Sequence, residues 1–140
     1  MMNYNSSCHC INLRKASNNI TKIYDTALAK IELKITQFTT LRNIQKLGKI
    51  NISDLSYLLE LDRTTILLNI EKLMKMNLVS YKYENNNKNK VVSLTTVGKN
   101  KLREATIIWK ETQYKYTKAL GVKNYEEFET LIPKITKINI

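Results

Sequence analysis

Apolar residues recur in steps of three and four over most of this chain, the spacing of helices with one buried face. From Ile11 to Ile31 they fall at Leu13, Ala16, Ile20, Ile23, Tyr24, Ala27, Leu28 and Ile31. A second helix, with Thr36 as its N-cap, turns Phe38, Leu41, Ile44 and Leu47 inward and stops at Gly48. Asn51 caps a third, with Asp54 three residues on as in a capping box and Ile52, Leu55, Leu58 and Leu59 in the core. Asp62 opens a fourth that runs to Met76 with Ile66, Ile70 and Leu73 inward, followed by Leu78.

The period then changes. Leu78–Tyr83 and Val91–Leu94 are short β-rich runs, and the polar, turn-prone segment from Glu84 to Lys90 joins them. Thr95 or Thr96 caps a long helix to Leu120, with Gly121 as its left-handed stop. Asn124 with Glu127 repeats the capping box, and Pro133 is expected to kink or end the last helix. Helix, tight turn, helix and hairpin between Ile50 and Leu94 form the layout of a winged helix-turn-helix. Such a layout offers a helix for a major groove and a basic finger for the flanking backbone. The expected fold class is mainly α (α+β), a winged helix-turn-helix with long N- and C-terminal helices.

Those outer helices are long and apolar for so small a protein. Leu13, Ile20, Ala27, Trp109, Tyr116, Phe128, Leu131 and Ile135 exceed what one subunit covers, which points to a homodimer built from both ends of the chain. The expected organisation is a single domain over 1–140, with dimerisation helices at 8–35 and 96–140 and a winged DNA-binding lobe at 36–95. The alternative is that the outer helices only cover their own lobe.

The 140 residues suit one core. A net charge of +11 favours an anionic partner. The excess is spread along the chain: residues 1–50 carry eight bases against two acids, and 62–90 carry six against three. The reading segment is thus only mildly basic. Two cysteines, Cys8 and Cys10, are too few for a disulfide scaffold, and the polar N-terminus lacks a signal peptide's apolar run. No stretch approaches the roughly 18 apolar residues of a membrane span. The expectation is a cytoplasmic protein without a membrane partner.

Several segments resemble the MarR family of bacterial transcription regulators, and the resemblance covers nearly the whole chain. Thr36-Gln37-Phe38 with Leu41 is similar to the start of the family's second helix. Ile52-Ser53-Asp54-Leu55 and Leu61-Asp62-Arg63-Thr64-Thr65 are similar to its helix-turn-helix, Asn77-Leu78-Val79 to the wing's entry and Leu94-Thr95-Thr96-Val97-Gly98-Lys99 to its exit. Order and spacing carry the likeness. It implies a dimeric DNA-binding repressor or activator, released by a small molecule or by thiol oxidation. Two departures stand out. Asn86 and Lys88 lie where the family's wing tip usually has an Asp and a minor-groove Arg, and Leu68 lies where its recognition helix often has Arg. Lysine reads a narrow minor groove less well than arginine. Leucine presses on thymine methyls but makes no bidentate contact to guanine, so a palindromic A/T-rich operator is expected.

On the fourth helix Arg63, Thr64, Thr65, Leu68 and Asn69 fall opposite Ile66, Ile70 and Leu73, and are the residues expected on double-stranded DNA. Ser53 fits a phosphate from the third helix, and Lys82, Lys88 and Lys90, with Asn86, fit the backbone along the wing. The bland alternative is a capped helix with a solvated charge run. It leaves room for a winged-helix protein–protein adaptor that binds no DNA.

Cys8-His9-Cys10 is a candidate redox site, since Arg14, Lys15 and His9 supply the positive charge a reactive thiolate needs. Some members of the resembled family keep a sensing cysteine in the first helix; compared through Ala16-Ser17 it falls at Ile11, one residue beyond Cys10. The alternative is two small apolar residues at a dimer seam. Cys-His-Cys within three residues has no standard zinc spacing, and no metal or other cofactor is expected. Trp109 and the eight tyrosines are candidates for lining a site for a small aromatic effector between the dimerisation helices and the winged lobe, although aromatics at helical spacing more often belong to the core. A lone histidine, three glycines and no nucleophile motif give no support to catalysis.

Overall fold

In a computed structural model, which describes residues 8–84 and 89–140, the chain forms six helices around a small sheet. α1 (His9–Leu28) runs through a short 3-10 turn (Ala29–Ile31) to α2 (Ile35–Leu47). β1 (Lys49–Asn51), α3 (Ile52–Leu59) and α4 (Arg63–Lys75) follow, then the hairpin β2 (Val79–Glu84) and β3 (Asn89–Leu94). α5 (Thr96–Leu120) and α6 (Val122–Thr136) complete the chain. The sheet is antiparallel in the order β1-β3-β2. Among the described residues no helix is long and apolar enough to cross a membrane.

The core lies where the lobe's helices meet the sheet. Phe38, Leu41 and Ile44 of α2, Leu55 of α3 and Ile66, Ile70 and Leu73 of α4 are buried with Leu78, Val79 and Val92, and Leu102 and Ala105 of α5 close it from above. Each fully buried leucine or isoleucine contributes about 2 kcal/mol of burial free energy. Two buried threonines, Thr40 and Thr112, donate their hydroxyls to the carbonyls of Thr36 and Ile108 at 2.7 and 2.8 Å, so neither leaves a polar atom unpaired.

Most expected boundaries hold, and the exceptions have local causes. α2 starts earlier than a Thr36 cap allows, with Lys34 as N-cap, because Asp25 of α1 accepts the Ile35 amide at 2.8 Å and Gln37 accepts the Lys34 amide at 2.9 Å. The strand β1 was not foreseen: Lys49-Ile50-Asn51 alternates but is too short to announce a strand, and pairing with β3 makes it one. Leu58 is 47% exposed rather than core, since the eight-residue α3 buries only the side holding Ile52 and Leu55. Gly121 has a positive φ of 93° but an extended ψ of 144°, so it redirects the chain without a left-handed cap. α6 then begins at Val122, and Asn124 lies inside it, donating to the Leu120 carbonyl at 2.9 Å. Pro133 does not stop α6, which continues to Thr136. The side chain is exposed, so water can take the carbonyl that proline leaves without a donor.

The outer helices keep much apolar surface uncovered in one chain. Ile11, Leu13 and Ile23 of α1 and Leu131 and Ile135 of α6 are exposed, and α6 has no fully buried residue.

Candidate nucleic-acid interface

The turn between α3 and α4 determines how α4 is presented. Glu60 closes α3 in a left-handed conformation, φ 52°, and the Leu61 amide donates back to the Ser56 carbonyl at 3.2 Å. The Ser56 hydroxyl donates to the Leu61 carbonyl in return. Asp62 then accepts from the Thr65 amide at 2.7 Å and from its hydroxyl at 2.9 Å. These two bonds, the amide first, hold the Asp62 carboxyl below its ordinary range, although burial opposes them. The carboxylate also sits at the positive end of α4.

Burying Ile66, Ile70 and Leu73 turns the opposite side of α4 outward. Arg63 and Thr64 are exposed, Leu68 is 54% exposed, and Thr65 and Asn69 are half-buried at the edge. Arg63 Nη1 donates to Ser53 Oγ of α3 at 3.2 Å, which joins the two helices into one outer surface. The Thr65 hydroxyl proton is committed to the cap, so that side chain offers its methyl and an acceptor lone pair. Sequence reasoning passed over Tyr57, which stands four residues after Ser53 on α3 and is 88% exposed. The four-residue spacing was the available signal.

The hairpin alternates. Tyr81, Tyr83, Lys90 and Val92 share one face, and Ser80, Lys82, Val91 and Ser93 share the other. The expected wing cations therefore do not form one row: Lys82 is exposed on one face, while Lys90 is half-buried on the other. Lys90 Nζ lies 4.8 Å from the Tyr81 ring centroid and 5.7 Å from that of Tyr83. Burial pushes the Tyr81 phenol up, and the charges of Tyr83 and Glu71 add to the shift. Asn86 and Lys88 lie outside the described residues.

Cys8 is the N-cap of α1 and Cys10 is in its first turn; both are free and exposed, on the same helix as His9, Arg14 and Lys15. No group of ligands suited to a metal ion occurs among the described residues. A groove of about 440 Å3 lies between α5 and α6, lined by Trp109, Gln113, Tyr114 and Tyr125 with Lys110 and Lys118. The indole of Trp109 also stacks on Phe38 of α2 at 5.8 Å and carries the Arg42 guanidinium at 4.8 Å. Tyr24 donates its hydroxyl to Gln113 Oε1, and its phenol is raised by burial, then by the charges of Tyr116 and Tyr125. Of the nine aromatics expected to line such a site, Trp109, Tyr114 and Tyr125 line this groove, which lies between α5 and α6 and not between the terminal helices and the winged lobe.

No family model matches the sequence, and no curated protein does. Solved structures do match in shape. BpsR of Bordetella bronchiseptica, whose DNA binding is regulated by 6-hydroxynicotinic acid, superposes with a TM-score of 0.86 at 18% identity, over 99% of this chain and 100% of that one. The M. tuberculosis transcriptional regulator MosR, in complex with DNA, gives 0.77 at 26% identity over 94% and 100%. A cysteine-to-serine variant of MarR from E. coli, complexed with operator DNA, gives 0.81 at 18% over 88% and 89%. This chain has the MarR-type winged-helix fold, and these structural neighbours are transcription regulators.

Proposed function

We propose that the protein is a MarR-family transcriptional regulator: a homodimer that binds double-stranded DNA in the cytoplasm and acts as a repressor. The observation that carries this reading is the outer surface of α3 and α4, where Ser53, Arg63, Thr64 and Leu68 are turned outward by a buried opposite face and a capped, tightly bonded turn. Asn69 and Thr65 flank them, and Lys82 follows on the wing. DNA complexes of MarR and MosR, which share the fold, support it. The uncovered apolar faces of α1 and α6 support the dimer, which would set two recognition helices about one DNA turn apart. Leu68 at the centre of the α4 surface favours thymine methyls over guanine, hence a palindromic A/T-rich operator.

The test is a gel-shift series at rising salt on the DNA upstream of the protein's own coding sequence. Saturable binding that weakens steeply with salt is expected. No saturable binding to any A/T-rich palindrome would favour the adaptor reading instead. Release of DNA has two candidate signals: oxidation at Cys8 or Cys10, and a small aromatic molecule, a reading supported by the groove between α5 and α6. If a Cys8→Ser, Cys10→Ser variant still releases DNA when treated with peroxide, the thiol route is eliminated.

A further inference from the structure

The wing's described cations differ in what they touch, and the difference assigns Lys90 a role of its own. Tyr83 and Lys90 are directly paired across β2 and β3, one step before the Glu84–Asn89 pair that ends the ladder. On the same face, one pair inward, Tyr81 opposes Val92, whose side chain is fully buried. The face that carries Lys90 is therefore the outward continuation of the core face. The Lys90 ammonium lies over both tyrosine rings, at 4.8 and 5.7 Å, within the reach of about 6 Å at which a ring quadrupole attracts a cation. The residue as a whole is half-buried. Lys82, on the opposite face, is exposed.

We infer that Lys90 is a positioning residue: Tyr81 and Tyr83 clamp its ammonium, the clamp sets how β2 and β3 are presented to DNA, and Lys90 itself neutralises no phosphate. The inference rests on the DNA-binding reading, and it divides the wing between a cation that grips the backbone, Lys82, and one that holds the hairpin in shape. A phosphate contact from Lys90 would compete with both rings for the ammonium. Arginine should substitute for it, since a guanidinium also stacks on aromatic faces. Methionine, of similar length without charge, should not.

Two measurements test this. In the NMR spectrum of the free wild-type protein, the ε-methylene protons of Lys90 should be shifted upfield by the ring currents, and those of Lys82 should not. On a palindromic A/T-rich duplex, Lys90→Met should weaken binding by about fivefold, the equivalent of one exposed cation–π contact, with Lys90→Arg near wild type. The slope of log affinity against log salt should not change in Lys90→Met, whereas Lys82→Met should lower its magnitude by about 0.9, one phosphate's worth of released counterion. A slope change in Lys90→Met equal to that in Lys82→Met would overturn the inference, as would unshifted Lys90 protons or unchanged affinity in Lys90→Met. If the wild type binds no duplex, the DNA reading fails and takes the wing's role with it, while the NMR shift still reports whether the clamp exists.

Discussion

Replacing Gly98 by alanine pits two physical effects of opposite sign against each other. Gly98 lies in the first turn of α5, where alanine ordinarily strengthens a helix by about 1 kcal/mol. Here a Cβ would stand 1.9 Å from the Leu78 carbonyl oxygen and 2.8 Å from its carbon. Restoring ordinary contact requires a retreat of about 1.5 Å between two backbones, an overpacking of the kind that strains a fitted core. Leu78 has little freedom to move, because its amide donates to the Leu73 carbonyl at 2.9 Å and its own carbonyl accepts the Thr95 amide at 3.1 Å. Thr95 is held on the other side by donating its hydroxyl to the Asn77 carbonyl at 2.7 Å. Overpacking of about 1–3 kcal/mol and a weakened hydrogen bond of about 1 kcal/mol, less the gain in helix propensity, leave a net loss of about 1–3 kcal/mol. Urea unfolding followed by circular dichroism, at matched protein concentration, should show the Gly98→Ala midpoint lowered by about 1 M. A midpoint at or above that of the wild type would refute the close approach of α5 to Leu78.

Other expectations follow from single contacts. Asp25→Ala removes the carboxylate that caps α2 from α1 and should cost about 1 kcal/mol in the same unfolding assay. Asp62 has a lowered folded pKa, so its contribution is present above the unfolded value of 3.8 and is lost as pH falls through the lower folded value. Asp62→Asn, which caps without titrating, should show a shallower loss of stability than the wild type across that acid window. Sedimentation should give twice the 16.3 kDa chain mass, and Leu131→Glu with Ile135→Glu should bring it to the monomer. Leu68→Ala should leave the salt dependence of DNA binding unchanged while reducing discrimination at one A/T position by up to about tenfold.

The helix-turn-helix was legible because its signals are local. Asn51 and Asp62 announce their caps, and the spacing of Ile66, Ile70 and Leu73 names the buried side of α4, which by subtraction names the outer one. What escaped depended on partners far away in the chain. Residues 49–51 become a strand only against β3, and α2 begins where Asp25 reaches it from α1. Lys82 and Lys90 are separated by the register of β2 against β3, which alternation within each run does not supply, and no pattern in the sequence places an ammonium over two rings. Tyr57 was overlooked because an exposed aromatic has no periodic signature apart from its neighbour Ser53.

Asn51 is both the last residue of β1, paired with Val91 of the wing, and the N-cap of α3. Helix-turn-helix and hairpin thereby share a common root, so a displacement of the wing at Val91 is felt directly at the start of α3. A push from the terminal helices would reach this shared root through several contacts: Asp25 on the Ile35 amide, Thr95 on the Asn77 carbonyl and Trp109 stacked on Phe38.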